Sequence, residues 1–321
     1  MSPRTPRFTA VIAAYNEEDI VADAIRSVLA QTEDDFELIV VDDGSVDRTA
    51  DVVRSFESDG RLRLISQENR GLAASLNTGI AAGGAPYIAL LDADDLWMPT
   101  YLERMGAALD SGESVGLAYT EAWWYSQQRG RFFRQTNAQY HGAPETPPDE
   151  PEALLVALMP DNWMFGLTAM RRSVIDEVGG FEEQLRAGED YDLWIRILAA
   201  GYRAVRAPGR LAIQRDRAVS MSTDESSMAT AARDVYARAA ELAGVPEEAR
   251  AIARQRMAEF DAMLEALSDG GRNMAVRRAL RARLGRVRKA LLGRWIWHPG
   301  VPGEVAGAFP DLDWGAVRAT D

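Results

Sequence analysis

Three acidic clusters are the residues best placed to do chemistry: Tyr15-Asn16-Glu17-Glu18, Asp42-Asp43-Gly44-Ser45 and Asp92-Ala93-Asp94-Asp95. Crowded carboxylates repel one another and raise each other's pKa unless something neutralises them. A divalent cation does this well, and an all-oxygen donor set suits Mg2+ or Mn2+. The competing reading is that these acids cap the helices after them, as Ser45 or Asp47 can do. For Asp92–Asp95 that reading is the weaker one, because such clustering is costly without a ligand. Several other chemistries are excluded. The chain has no cysteine and two histidines, His141 and His298, which removes thiolate metal sites, disulfides, a Cys nucleophile and a His-rich metal centre. No glycine fingerprint of a dinucleotide site follows the first apolar run, and neither a phosphate-cradling Gly-Lys-Ser/Thr nor a Gly-x-Ser-x-Gly elbow is present.

The elements that must position the clusters alternate in period. Phe8–Ala14, Phe36–Val41, Arg61–Ile65 and Tyr87–Leu91 are short apolar runs that read as buried strands. Between and after them, Glu17–Gln31, the stretch from Ser45 to Phe56, Gly71–Ala82 and the stretch from Pro99 to Leu109 carry helical spacing. Alternating strands and helices with fully apolar strands predict a parallel sheet covered on both faces. Ligands bind such sheets at the carboxyl ends of the strands, where all three clusters fall. Farther on, Val115–Tyr125 and Arg131–Gln135 predict a hairpin. Asn137–Glu152, with four prolines, predicts a mobile surface loop. Val174–Val178 and Asp190–Ala200 read as helices, Val205 and Leu211–Gln214 as short strands. From Ser226 to Leu292 the pattern is helical, broken at Gly244-Val-Pro246 and Asp269-Gly-Gly271.

The 321 residues allow one large domain or two ordinary ones. The net charge of −13 argues against nucleic-acid binding. That total hides an asymmetry: residues 1–110 hold 9 basic and 20 acidic side chains, whereas residues 271–298 hold 9 basic and none acidic. No apolar run reaches membrane-spanning length and the N-terminus lacks a signal-peptide core, so the reading is a cytoplasmic protein.

Five motifs stand in order: Val11-Ile-Ala-Ala-Tyr-Asn-Glu-Glu18; Val40-Val-Asp-Asp-Gly-Ser45; Asn69-Arg-Gly-Leu72 with Asn77-Thr-Gly79; Leu91-Asp-Ala-Asp-Asp95; and Gly179-Gly-Phe-Glu182 with Gly188-Glu-Asp-Tyr-Asp-Leu-Trp194. Over residues 8–222 the chain resembles glycosyltransferase family 2. The resemblance implies an α/β fold of the GT-A type: a Rossmann-like, mostly parallel sheet flanked by helices. It divides the chain into a catalytic domain over 1–222 (nucleotide-sugar half about 8–110, acceptor half about 111–222) and a helical C-terminal region over 223–321. It also implies roles. Ala13, Tyr15 and Glu17 would lie against the nucleotide, with Tyr15 packing on the base, and Asp43 would accept a hydrogen bond from a uracil or thymine imide. Asp92 and Asp94 match an Asp-x-Asp element that holds the ribose and a metal on the diphosphate, and Asp95 would share the metal. Asp190 matches the catalytic base, with Glu189 beside it; Asp192 is the competing acid and a helix cap the competing role. One departure matters: where many relatives carry a His before a Ser-Met-Ser-like segment, this chain has Arg217 ahead of Ser220-Met-Ser222. Arginine cannot ligate a metal but can pair with phosphate oxygens. Arg215 or Arg217 would then neutralise the diphosphate, with weaker metal binding than a His would give.

The function implied is an inverting, metal-dependent transfer of a sugar from a nucleotide diphosphate sugar, UDP first and dTDP second. The acceptor would be a hydroxyl of a glycan or a lipid-linked sugar, in cell-surface polysaccharide assembly. The competing readings are a sugar nucleotidyltransferase, which would want a glycine-rich basic loop after the first strand, and a non-catalytic sugar-nucleotide or glycan-binding module. Trp123, Trp124, Tyr125, Phe132, Phe133, Trp163 and Phe165 either line a sugar groove or fill the core; Trp194 reads as core. Residues 272–297 form a basic amphipathic stretch ending in Trp295 and Trp297. It is suited to the inner face of an anionic membrane, or to the acidic catalytic domain or another subunit of a homo-oligomer.

Overall fold

The computed structural model describes residues 5–217, 225–268, 297, 298, 300–312 and 314. Its first half runs β1 (Phe8–Ala14), α1 (Val21–Leu29), β2 (Phe36–Asp42), α2 (Thr49–Arg54), β3 (Leu62–Ser66), α3 (Leu72–Ala82), β4 (Tyr87–Asp92), β5 (Leu96–Trp97) and α4 (Tyr101–Leu109). The second half runs β6 (Val115–Ser126), β7 (Arg131–Phe132), α5 (Asn137–Tyr140), α6 (Pro151–Leu158), β8 (Thr168–Arg171), α7 (Arg172–Val178), α8 (Glu189–Ala199), β9 (Arg203–Asp216), α9 (Glu225–Glu241), α10 (Glu247–Ser268) and α11 (Gly303–Ala308).

One nine-stranded sheet has the order β3-β2-β1-β4-β8-β6-β9-β5, with β7 paired to β6. The strands read as parallel are parallel: β3, β2, β1 and β4. The sheet then becomes mixed, because β8 runs antiparallel to both β4 and β6, and β5 antiparallel to β9. Side-chain alternation in the parallel strands supplies two cores. Val11, Ile88 and Leu90 face α3, α6, α7 and α8, and α9 and α10 add to this same cluster. Ala10, Ile12, Ala89 and Leu91 face α1 and α4. Trp194 is fully buried and its Nε1 donates to the Met164 carbonyl at 2.6 Å. Trp194→Ala is expected to lower stability by about 3–5 kcal/mol, read as a fall in the urea midpoint.

The second half departs from the sequence reading where local signals conflict. Residues 137–152 are not a plain loop. Thr136 caps α5 through a reciprocal bond with Gln139, and α6 opens on Pro151, whose missing N–H costs nothing at a helix start. β9 is a single 14-residue strand, not two fragments. Pro208 and Gly209 hid its continuity, and its pairing with β6 shifts register beside them. The C-terminal segment returns to the sheet: Tyr125 donates to the Trp314 carbonyl at 2.6 Å, and Val305 joins Leu96, Met98, Tyr125, Phe132 and Ile213 in a third apolar cluster. The basic stretch 272–297 lies outside the described residues except for Trp297. Among the described residues, no helix is long and apolar enough to cross a membrane.

Candidate active site

The parallel register brings the acidic clusters together. Ala14 pairs with Asp42 and Ala13 with Asp92, so the carboxyl ends of β1, β2 and β4 are level. The loops beyond them brace one another. Asn16, in the left-handed region at φ 56°, donates its N–H to Ser45 Oγ at 2.9 Å and accepts from the Val46 N–H at 2.9 Å. Glu17 and Glu18 donate their N–H groups to Thr49 Oγ1 and Asp47 Oδ2. Ser45 is thus a brace and not a helix cap, while Asp47 also accepts from the first N–H of α2. Tyr15 projects from this frame 48% exposed.

Asp43 is 4% exposed. It accepts from Gln67 Nε2 at 2.7 Å and from the N–H groups of Arg70 and Gly71 at 3.0 and 2.8 Å, fixing the turn into α3. Gly44 is required here: its φ is +74°, and a Cβ would come 2.8 Å from the Asn69 nitrogen.

Asp92, Asp94 and Asp95 each offer one carboxylate oxygen, all within 4.8 Å of one another. The two-residue strand β5, which has no legible periodicity, ties this turn to β9 through Leu96–Ile213 and Trp97–Ala212 pairing. That pairing delivers two arginines. The Arg215 N–H donates to Asp95 Oδ1 at 2.9 Å, its Nε donates to the Asp94 carbonyl, and its guanidinium pairs with Asp23 at 3.2 Å. Arg217 pairs with Glu17 at 2.6 Å and lies 3.9 Å from Asp94. Asp92 keeps contact with solvent at the strand end although protein surrounds it, and that burial, together with Asp94 and Asp190, pushes its carboxyl up to about 7. Burial raises Asp94 as well, and raises Asp95 well above the usual carboxylate range. Hard oxygen donors at this spacing, each resisting ionisation alone, fit a divalent cation.

Asp190 comes from the opposite half. Gly188 is the N-cap of α8, in the left-handed conformation at φ 75°, so Asp190 is not the cap. Its Oδ2 accepts from Asn162 Nδ2 at 3.1 Å and its Oδ1 from the Tyr191 N–H at 2.6 Å. No guanidinium pairs with it among the described residues. Burial pushes its carboxyl up to about 6, and pushes Glu189, with Asp190 beside it, up to about 8. Asp192 has a different fate: 4% exposed, it is held by Arg196 at 2.8 Å and by Arg238 of α9 at 2.7 Å. Two supporting residues escaped the sequence reading as participants. Asn162 carried no signal at all. Asn77, of the Asn77-Thr-Gly79 motif, joins the halves by bonding both the carbonyl and the N–H of Phe181 at 2.9 Å.

The raised carboxyls set a pH dependence. Their folded pKa values exceed the unfolded ones, so the stability they allow is full below the unfolded values near 4 and is lost as pH rises toward about 7 and 8. The cation-free protein is expected to melt at progressively lower temperature from about pH 5 to about pH 8. Added Mn2+ restores more at the upper end, because ligands must shed protons to bind it. A Mn2+-induced melting shift that is flat across this range would remove the aspartate cluster as the cation site.

The sequence pattern of the family Glycosyl transferase family 2 matches residues 9–179, more than half the chain. The chain belongs to glycosyltransferase family 2. It is 34% identical over 229 residues to the succinoglycan biosynthesis protein ExoU of Rhizobium meliloti, covering 66% of this chain and 63% of that relative. It is 32% identical over 253 residues to ExoO of the same organism, named for the same process, covering 76% and 72%. The chain therefore spans less than two thirds of ExoU's length. Among solved structures, S. aureus TarS 1-349 in complex with UDP-GlcNAc superposes with a TM-score of 0.63 at 18% identity over 89% of this chain and 76% of that one. The mannosyltransferase PcManGT from Pyrobaculum calidifontis, in complex with GDP-Man and Mn2+, gives 0.59 at 21% identity over 89% and 85%. This family 2 glycosyltransferase has the GT-A fold, with a helical region after it.

Proposed function

We propose that the protein is an inverting, divalent-cation-dependent glycosyltransferase that uses a UDP-sugar, with dTDP-sugars the second choice. Its acceptor is a hydroxyl on a glycan or lipid-linked sugar in polysaccharide assembly at the cytoplasmic face of the membrane. The observation that carries this is the meeting of two carboxylate groups of different character: an aspartate triad at the end of β4, and Asp190 at the start of α8, with which no guanidinium pairs among the described residues and which is near enough to help raise Asp92. A binding module has no use for the second, and a nucleotidyltransferase would want basic groups where Tyr15–Glu18 stand.

In this reading Tyr15 stacks on the base, Ala13 and Glu17 line the nucleotide, and Asp43 shapes the uracil pocket directly and through the turn it holds. Asp92 and Asp94 hold ribose and cation, and Asp95 completes the cation set. A bound cation neutralises charge on the departing diphosphate. Arg215 and Arg217 add positive charge on that side, Arg217 by leaving or sharing Glu17. Asp190 takes the acceptor proton as the acceptor oxygen bonds to the anomeric carbon and the bond to diphosphate breaks, a single displacement that inverts configuration. Burial and the neighbouring Asp190 push Glu189 up further than Asp190 is pushed, so Asp190 is the first of the pair to ionise as pH rises.

A thermal-shift series of UDP, dTDP and GDP and their sugars, with and without Mn2+, tests the donor assignment. The expected result is the largest shift for a UDP-sugar with Mn2+, reduced in Arg217→Ala. Equal shifts for all three bases, or an unaffected Arg217→Ala, would overturn the UDP choice or the role of Arg217, respectively.

A further inference from the structure

Six aromatic rings run in unbroken succession toward the site. Trp297 packs on Phe133 at 4.6 Å between centroids, Phe133 stacks on Trp124 at 3.9 Å, and Trp124 meets Tyr140 at 5.2 Å. Tyr140 meets His141 at 5.3 Å, and His141 meets Phe165 at 5.1 Å. All six are half-buried, unlike core rings such as Trp97 and Trp194, which are sealed. A connected aromatic patch that keeps contact with water is a candidate binding surface.

The inner end of this ribbon reaches the reacting groups. His141 Nδ1 lies 3.0 Å from Asp161, whose neighbour Asn162 holds Asp190. Asn162 Oδ1 is buried with no hydrogen-bond partner, leaving an acceptor beside the base. Gly166, next to Phe165, stands against Asp92: a Cβ there would lie 3.6 Å from Asp92 Oδ2. The outer end is supplied by the C-terminal segment. Arg134 Nε donates to the Trp297 carbonyl at 2.8 Å, the His298 N–H donates to the Phe132 carbonyl at 2.8 Å, and Arg129 lies over the Trp297 ring at 5.8 Å.

We infer that this ribbon is the acceptor track for an oligosaccharide several units long, and that Trp297, brought from the far end of the chain, sets its outer subsite. The inference rests on the transferase reading above and names its acceptor class. Sugar rings with equatorial hydroxyls present C–H faces to aromatic rings and hydroxyl edges to the guanidinium and imidazole groups along the rim. An alkyl chain would use the rings but not the polar rim. The terminal sugar then brings its hydroxyl to the Asp190 carboxylate, which Asn162 holds in place.

The test titrates the full chain with cellobiose, cellotetraose and cellohexaose by calorimetry, with UDP binding read in parallel by thermal shift. Affinity is expected to rise about tenfold or more from the disaccharide to the hexasaccharide. Trp297→Ala and Trp124→Ala each lose about twofold to tenfold of the hexasaccharide gain, Trp297→Phe retains it, and UDP shifts stay unchanged. No binding at any length, a length-independent affinity, or a gain that survives both alanine variants overturns the track. Tighter binding of dodecyl than octyl maltoside, with no gain along the sugar series, assigns the ribbon to lipid and also overturns it. A track that binds the series in a protein that no nucleotide diphosphate sugar shifts would instead break the transferase reading.

Discussion

Asp190→Asn is expected to lower kcat by about a hundredfold to ten-thousandfold while leaving the affinity for nucleotide diphosphate sugar within about twofold. The amide is nearly isosteric: its oxygen can still accept from the Tyr191 N–H, its NH2 can donate to the unpartnered Asn162 Oδ1 once that amide flips, and the basicity is lost. Folding should not suffer, because a carboxyl pushed up to about 6 by burial is one the folded state holds ionised at a cost. The parent's rate should climb with pH through a limb near 6 as Asp190 loses its proton. Glu189→Gln and Asp192→Asn separate the alternatives. Glu189 is pushed up further than Asp190, and Asp192 is committed to Arg196 and Arg238, so neither should reproduce the full loss. If Asp192→Asn is dead and well folded while Asp190→Asn turns over, the base has been misassigned.

The second large effect belongs to Asp94. Asp94→Asn is expected to abolish the Mn2+-dependent melting shift and to cost about a hundredfold or more in transfer, since a cation at a departing phosphate stabilises the transition state by several kcal/mol. The variant should be as stable as the parent without cation, or slightly more so at high pH, because a charge that raises Asp92 and Asp95 has gone. Asp95→Asn is a harsher change to the frame, since Asp95 also holds the Arg215 N–H that fixes the end of β9. A Mn2+ shift that persists undiminished in Asp94→Asn would place the cation elsewhere.

The first four parallel strands were legible because each is a short apolar run bounded by turn residues, and their level ends followed from parallel pairing. Asp92, Asp94 and Asp95 were legible for the same reason: three acids directly after a buried strand are difficult to explain otherwise. What sequence left dark lies in the second half, where the site depends on pairing between distant segments. Leu96–Trp97 carries no strand signal and is a strand only because β9 runs beside it. Asn162 looks like any polar residue in a loop, and its bond to Asp190 exists only once α8 is docked. The sequence marks Arg217 as a phosphate partner, but its contact with Glu17 spans 200 residues and exists only in the folded chain. The aromatic residues divided as composition alone could not divide them: Tyr125, Phe132 and Trp163 are core, and Trp124, Phe133 and Phe165 stay half-buried.

The return of residues 297–314 to the sheet also bears on how the chain is made. Without that return, Leu96, Phe132 and Ile213 would lose the apolar cover that Val305 gives them. Their cover, centred on Val305 and the Trp314 carbonyl, is the last described part to leave the ribosome. A nascent chain stalled before residue 297 therefore carries Asp92, Asp94, Asp95 and Asp190 but leaves that apolar margin uncovered. Residues 300–312 and Trp314 thus close an apolar margin that the earlier part of the chain leaves open.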